Sequence, residues 1–206
     1  MLESSLSPLI IIIIGRIGAV ELSVYYLLMQ ALTYAFYPVN AIAELICVFT
    51  GKNAKNMTGT KIFKEICRKG ITLSISYTVL SSTIIFILSV FTGFWFSQSQ
   101  FDTRIIFIPL IIACGSQFTN CFYANLWGAL RGLKKMTTGV ITSFAELIII
   151  PSLLYLFDLT MGLNLSNIFL SMFISKAVSV AICVYALLGN DVHIKHVFAN
   201  RNLTKV

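Results

Sequence analysis

Acidic side chains are scarce in this chain, with eight Asp and Glu among 206 residues beside 15 Lys and Arg. Charged residues make up only 11% of it, whereas a soluble domain carries about 25%. So few charges cannot cover a water-exposed surface of this size, which excludes a soluble enzyme. Glycine (12) and proline (4) are too few for a collagen-like or disordered chain. The five cysteines (Cys47, Cys67, Cys114, Cys121 and Cys183) include no CxxC pair, so neither a disulfide framework nor a thiolate metal centre is expected. Four of them lie in or beside apolar runs, where a small polarizable side chain serves packing. There is no Walker loop, no GxSxG and no HExxH. His193 and His196 stand in the tail without a cysteine or carboxylate cluster and read as a solvated stretch, not a zinc site. Enzymatic activity and a cofactor are therefore not expected.

What the chain has instead is apolar length. Hydrophobic residues are 57% of it and its mean hydropathy is +0.87. A spanning helix needs about 20 mainly apolar residues to cross about 30 Å of hydrocarbon. Five stretches satisfy this, at roughly 19–49, 70–96, 105–130, 137–157 and 165–188. Their period is helical, with no ten-residue alternation of the membrane-barrel kind. A sixth apolar run, Leu6 to Ile14 within about 3–15, contains Pro8 and is half the length of a span. It lacks the basic leader of a signal peptide, having Glu3 instead. The expected fold is all-α: a six-helix transmembrane bundle (1–190) with an incomplete first helix, followed by a cytoplasmic tail (191–206).

The basic residues orient it. Lys52, Lys55, Lys61, Lys64, Arg68 and Lys69 lie in the connection 50–69; Arg131, Lys134 and Lys135 in the next connection on that side; Lys195, Arg201 and Lys205 in the tail. The opposite connections hold only Arg16 and Arg104. This bias places the basic segments and the C-terminus in the cytoplasm. Stretch 50–69 has one aromatic residue, Phe63, so an interfacial helix on anionic lipid is expected there in preference to a nucleic-acid surface. The Asn56 and Asn202 sequons face the cytoplasm in this topology and are chance matches.

Polar residues inside the spans supply the candidate site. Asn40 and Glu44 lie one turn apart on the second span. Glu146 and Lys176 fall near the midplane of consecutive antiparallel helices, where they can pair, either pinning the hairpin or lining a polar cavity. Gln117 and Asn120 share a helix with Tyr123, Asn125 and Trp127. Amides beside aromatics suit an amphipathic organic cation, or else simply bond neighbouring helices. Gly128 and Gly132 form a GxxxG spacing that permits close helix approach. Pro38, Pro109 and Pro151 each fall inside a different span, as bends in transporters and channels do.

Several of these features coincide. Glu3 is followed by Gly15-Arg-Ile-Gly18-Ala-Val-Glu21-Leu22, a helix with Pro38, and then Thr50-Gly51-Lys52. Later come Gln117-Phe-Thr-Asn120, Gly128-Ala-Leu-Arg-Gly132-Leu-Lys and Pro151-x-x-x-Tyr155. From residue 3 to about 188 this resembles the C-terminal half, helices seven to twelve, of the multidrug and toxin extrusion family in its bacterial drug/cation antiporter branch. The resemblance implies two six-helix bundles that export small cationic, amphipathic drug-like substrates in exchange for H⁺ or Na⁺. It also implies a multi-pass protein of the bacterial inner membrane. Glu3 matches a membrane-embedded glutamate of the family, and Asn120 stands where the family has its ion-coupling aspartate, an amide in place of a titratable group. The chain has about half the length of a family member. The expectation is therefore half of an antiporter, completed by a separately encoded N-terminal half or a second copy. An inactive truncated remnant, read from a frame that begins partway through a longer gene, and a related lipid-linked polysaccharide flippase are the alternatives.

Overall fold

The computed structural model describes the backbone of residues 3–53, 59–96 and 104–203, with side chains chiefly over 10–52, 63–89, 107–160 and 162–188. Six helices make up these residues: α1 (Glu3–Ile17), α2 (Ala19–Asn53), α3 (Gly59–Phe96), α4 (Arg104–Gly132), α5 (Met136–Met161) and α6 (Leu165–Leu203). No strand occurs among them. Five helices, α2 to α6, are long and apolar enough to cross a membrane. The protein is thus an all-α, multi-pass membrane bundle.

Two helix limits differ from expectation. The basic stretch before residue 70 is not a separate interfacial helix: α3 runs unbroken through Lys64, Arg68 and Lys69 into the span. No proline lies between Gly59 and Phe96, and Gly70 alone does not stop a helix whose i→i−4 ladder continues on both sides. The tail likewise continues α6 as helix to Leu203. Side chains of the tail, His193 and His196 included, lie outside those described, as do residue Asn56 and the side chain of Glu3.

The connections are short where they are described. Gly18 alone separates α1 from α2; its N–H bonds to Ile14 at 3.2 Å and its carbonyl accepts from Leu22 at 3.1 Å, so one residue ends the first helix and begins the second. Between α4 and α5, the Lys135 N–H reaches the Leu130 carbonyl and the Lys134 N–H that of Arg131, both at 2.9 Å. This is a Schellman cap with lysine, at φ 61°, where glycine is the usual left-handed residue. Asn164 caps α6 by accepting the Asn167 N–H at 2.9 Å.

Helix α4 is the hub, packing against α2, α3, α5 and α6, most extensively against α2 and α6. In lipid the hydrocarbon outside a helix is as apolar as its neighbour, so close van der Waals contact replaces the hydrophobic effect as the cause of association. Gly128 and Gly132 provide that contact. A Cβ at Gly128 would strike the Ala43 carbonyl, and one at Gly132 would lie 2.6 Å from the Cys47 carbonyl. The two contacts advance together by four residues on each helix, so α2 and α4 run parallel with their backbones touching.

One half of the bundle is filled. Tyr25, Leu28 and Leu32 of α2, Leu110 and Ala113 of α4, Ile150 and Leu154 of α5, and Ile168 and Phe169 of α6 form a single buried cluster. Ile10 and Ile14 of α1 close it. These positions belong to the N-terminal halves of α2, α4 and α6 and the C-terminal half of α5, the end away from the basic segments. Gly128→Ala is expected to destabilise the protein by about 1–3 kcal/mol, the usual range for overpacking, because the α2 backbone cannot yield. Gly115→Ala, with nothing within 4 Å of the added methyl, is expected to be neutral or slightly stabilising. Thermal unfolding in detergent checks the contrast; equal effects would contradict the α2–α4 contact.

Candidate functional site

A cavity of about 450 Å³ occupies the other half of the bundle. Its wall is built from the C-terminal halves of α2 and α4, the first turns of α5 and Lys176 in the N-terminal third of α6. Four of its positions, Asn40, Glu44, Asn120 and Tyr123, together with Lys176, are sequence candidates brought together from three helices. Parallel packing of α2 on α4 at Gly128 explains the first four. With Ala43 against Gly128, residues one turn earlier on each helix face the same gap.

The floor is an ion-pair node joining three helices. Lys176 Nζ donates to both Glu146 oxygens at 2.8 and 2.9 Å, and the Ser179 hydroxyl donates to Oε1 at 2.8 Å. The Glu146 side chain is 3% exposed and the Lys176 side chain 21%. Glu146 therefore lies behind the wall, and Lys176 is the member of the pair that lines the cavity. Its ammonium sits 4.6 Å from the centre of the Tyr123 ring. That phenol is in turn 3.2 Å from the Thr142 hydroxyl, which donates to the Gly139 carbonyl. A carboxylate buried this deeply is tolerable only because each of its oxygens is paired.

A second ion pair, Arg131 with Glu44, joins α4 to α2 where the cavity nears the helix ends. Here both groups are more accessible, at 27% and 63%, and an exposed pair of this kind is worth about 0.2–1 kcal/mol. The sequence signals Arg131 as a topogenic base and as part of the Gly128–Gly132 motif, not as a partner of Glu44. Its pairing follows from the glycine contact, which fixes the α2–α4 register. Ser143 and Gly139 were also missed. Gly139 leaves room for Trp127, whose ring a Cβ there would strike, and Ser143 follows one turn later on the same face. With hindsight the Gly139–Ser143–Glu146 spacing is the legible signal for this face of α5.

Not every candidate reaches the cavity. Gln117 is buried, at 7% exposure, and is not part of the wall, because three residues of helix turn it about 60° from Asn120. Asn125 faces α3, accepting from Ser74 at 3.2 Å and donating to the Cys121 carbonyl at 2.7 Å. It ties helices together and takes no part in the site. Glu3 belongs to α1, and its side chain lies outside those described. Among the described residues no group of three or more His, Cys, Asp or Glu is placed to hold a metal ion.

Compared with protein-family models, curated proteins and solved structures, the chain shows no significant similarity to any.

Removing one member of the floor pair leaves the other charge buried, so Lys176→Met alone is expected to cost about 3–5 kcal/mol. Glu146→Gln with Lys176→Met is expected to cost less than the sum of the two single changes. A double-mutant cycle on thermal or denaturant unfolding measures this; additive losses would contradict a coupled buried pair.

Proposed function

We propose that this chain is one half of a gradient-driven transporter of amphipathic organic ions, working by alternating access. The observation that carries the reading is the one-sided cavity. A polar, charged hollow lies among spanning helices toward the basic end, and among the described residues an apolar cluster packs the opposite end. Polar and ionisable groups at membrane depth are costly and mark solute or ion pathways. A polar hollow toward one end, with apolar packing toward the other, fits a carrier, which holds its solute between helices and exposes it to one side at a time. The distribution of Lys and Arg supports a cytoplasmic basic end, which would put the cavity on the inner side and the C-terminus in the cytoplasm.

The second bundle is part of the proposal. Asn40 is exposed well inside the span of α2, and Glu44 follows it one turn later. Polar positions on a spanning helix need cover from hydrocarbon, and a partner bundle facing α2 and α4 would provide it. That partner is a separately encoded half or a second copy. The resemblance to multidrug and toxin extrusion proteins adds the same plan and an exchange of solute against H⁺ or Na⁺. No nucleotide-binding motif is present to supply another energy source.

Membrane vesicles from cells that naturally express the chain retain whatever completes it. With ethidium and carboxyfluorescein as cationic and anionic solutes, such vesicles are expected to show solute-dependent H⁺ or Na⁺ flux that vesicles lacking the chain do not. Ser143→Phe, which places a ring in the cavity without replacing a member of either ion pair, is expected to reduce that flux to background. Flux unaffected by this substitution would overturn the assignment of the cavity as the transport route.

A further inference from the structure

The charge of the solute is legible in the cavity wall. Two bases and one acid line it, Arg131, Lys176 and Glu44, while the acid that balances Lys176 is Glu146, buried behind the wall with both oxygens bonded. The floor therefore presents the positive pole of its ion pair to anything that enters. Glu44 is already matched by Arg131. Of the three aromatic rings on the wall, the one at the floor is covered: the Lys176 ammonium lies over Tyr123 at 4.6 Å. A cation entering to the floor would meet a like charge and would have to displace that ammonium from both its ring and its carboxylate. An anion would meet an ammonium, with the amides of Asn40 and Asn120 on the wall as further donors. Phe36 and Trp127 border the same space and offer apolar surface to the rest of the molecule.

We propose that this cavity takes a small amphipathic organic anion, its acidic group directed to Lys176 and its apolar body lying between Phe36 and Trp127. The inference rests on the carrier reading for its biological sense, but it concerns binding alone. Loss of vesicle flux would defeat the carrier reading and leave binding standing; a preference for cations would do the reverse. It also departs from the cationic substrates implied by family resemblance, because that implication does not include the side chain that occupies the Tyr123 ring here.

The test is calorimetric titration of the full chain in phosphatidylcholine nanodiscs with two probes of matched shape, 2-naphthoate and 2-naphthylmethylammonium. Naphthoate is expected to bind on the order of tenfold tighter, the ratio given by about 1.4 kcal/mol of charge preference. Glu146→Gln keeps the shape of the floor and removes the counter-charge of Lys176, so the preference for naphthoate is expected to widen severalfold. Lys176→Met is expected to abolish it. A purely structural pair would lower the stability of both variants and leave the ratio of the two affinities where it was. Equal or tighter binding of the ammonium probe to the unmodified chain, or no binding of either, would overturn the proposal without recourse to any variant. Repeating the titration with one fifth phosphatidylglycerol identifies the source of the anion. Competition there assigns the site to an acidic lipid headgroup, and unchanged naphthoate affinity assigns it to a soluble acid; either result supports the shared chemistry.

Discussion

The close approach of α2 and α4 at Gly128 and Gly132 is the constraint on which the rest of the bundle depends. Inside a bilayer no hydrophobic gain draws helices together, so close van der Waals packing and interhelical polar contacts must, and the closest packing needs small residues. The Ala43 and Cys47 carbonyls lie where the missing Cβ atoms would be. Once that register is set, Glu44 falls beside Arg131, and Asn40 and Phe36 fall across from Asn120 and Ala124. The cavity is the consequence: below the glycine contact the side chains are no longer minimal, and the gap between α2 and α4 is left to be lined.

The two ends of the bundle are packed on different principles. The end away from the basic segments is apolar, with Phe169, Tyr25, Leu110 and Leu154 meeting across four helices. The rings of Tyr25 and Phe169 lie 5.8 Å apart at 40°. The other end is held by polar contacts. Lys176 with Glu146 joins α6 to α5, Tyr123 with Thr142 joins α4 to α5, and Arg131 with Glu44 joins α4 to α2. Apolar packing tolerates no water and no movement of charge. Ion pairs and hydroxyl bonds can exchange partners for a solute, a proton or water at smaller cost.

The floor node shows how position gives one ion pair two roles. Its carboxylate is buried and triply bonded, which makes it structural; its ammonium is on the cavity wall, which makes it available to a ligand's field. The same two residues with exposures reversed would present an acid to the cavity. The covering of Tyr123 by Lys176 acts in the same sense, since it occupies the aromatic surface on which an amide-and-ring site for cations would depend.

Much of this was readable along the chain. The shortage of charge, the five apolar stretches and the bases on alternate connections determine membrane residence, the helix count and an expected orientation, because each follows from the cost of moving single residues into hydrocarbon. The GxxxG spacing of Gly128 and Gly132 marks a close contact, and the equal depths of Glu146 and Lys176 make their meeting possible. These are one-dimensional properties. What a linear reading could not resolve was rotation: which way each helix turns its polar residues. A shift of three positions leaves Asn120 on the cavity wall and Gln117 buried, and Asn125, on the same helix, faces α3. The extension of α3 through the basic stretch and of α6 to Leu203 was equally a matter of the helix continuing where polarity suggested it would stop. Arg131 became a partner of Glu44 only when the glycine contact fixed α2 against α4, and Lys176 rather than Glu146 faced the cavity through the rotation of α5 and α6. Composition determined that this chain resides in lipid; packing alone decided which charge it presents within.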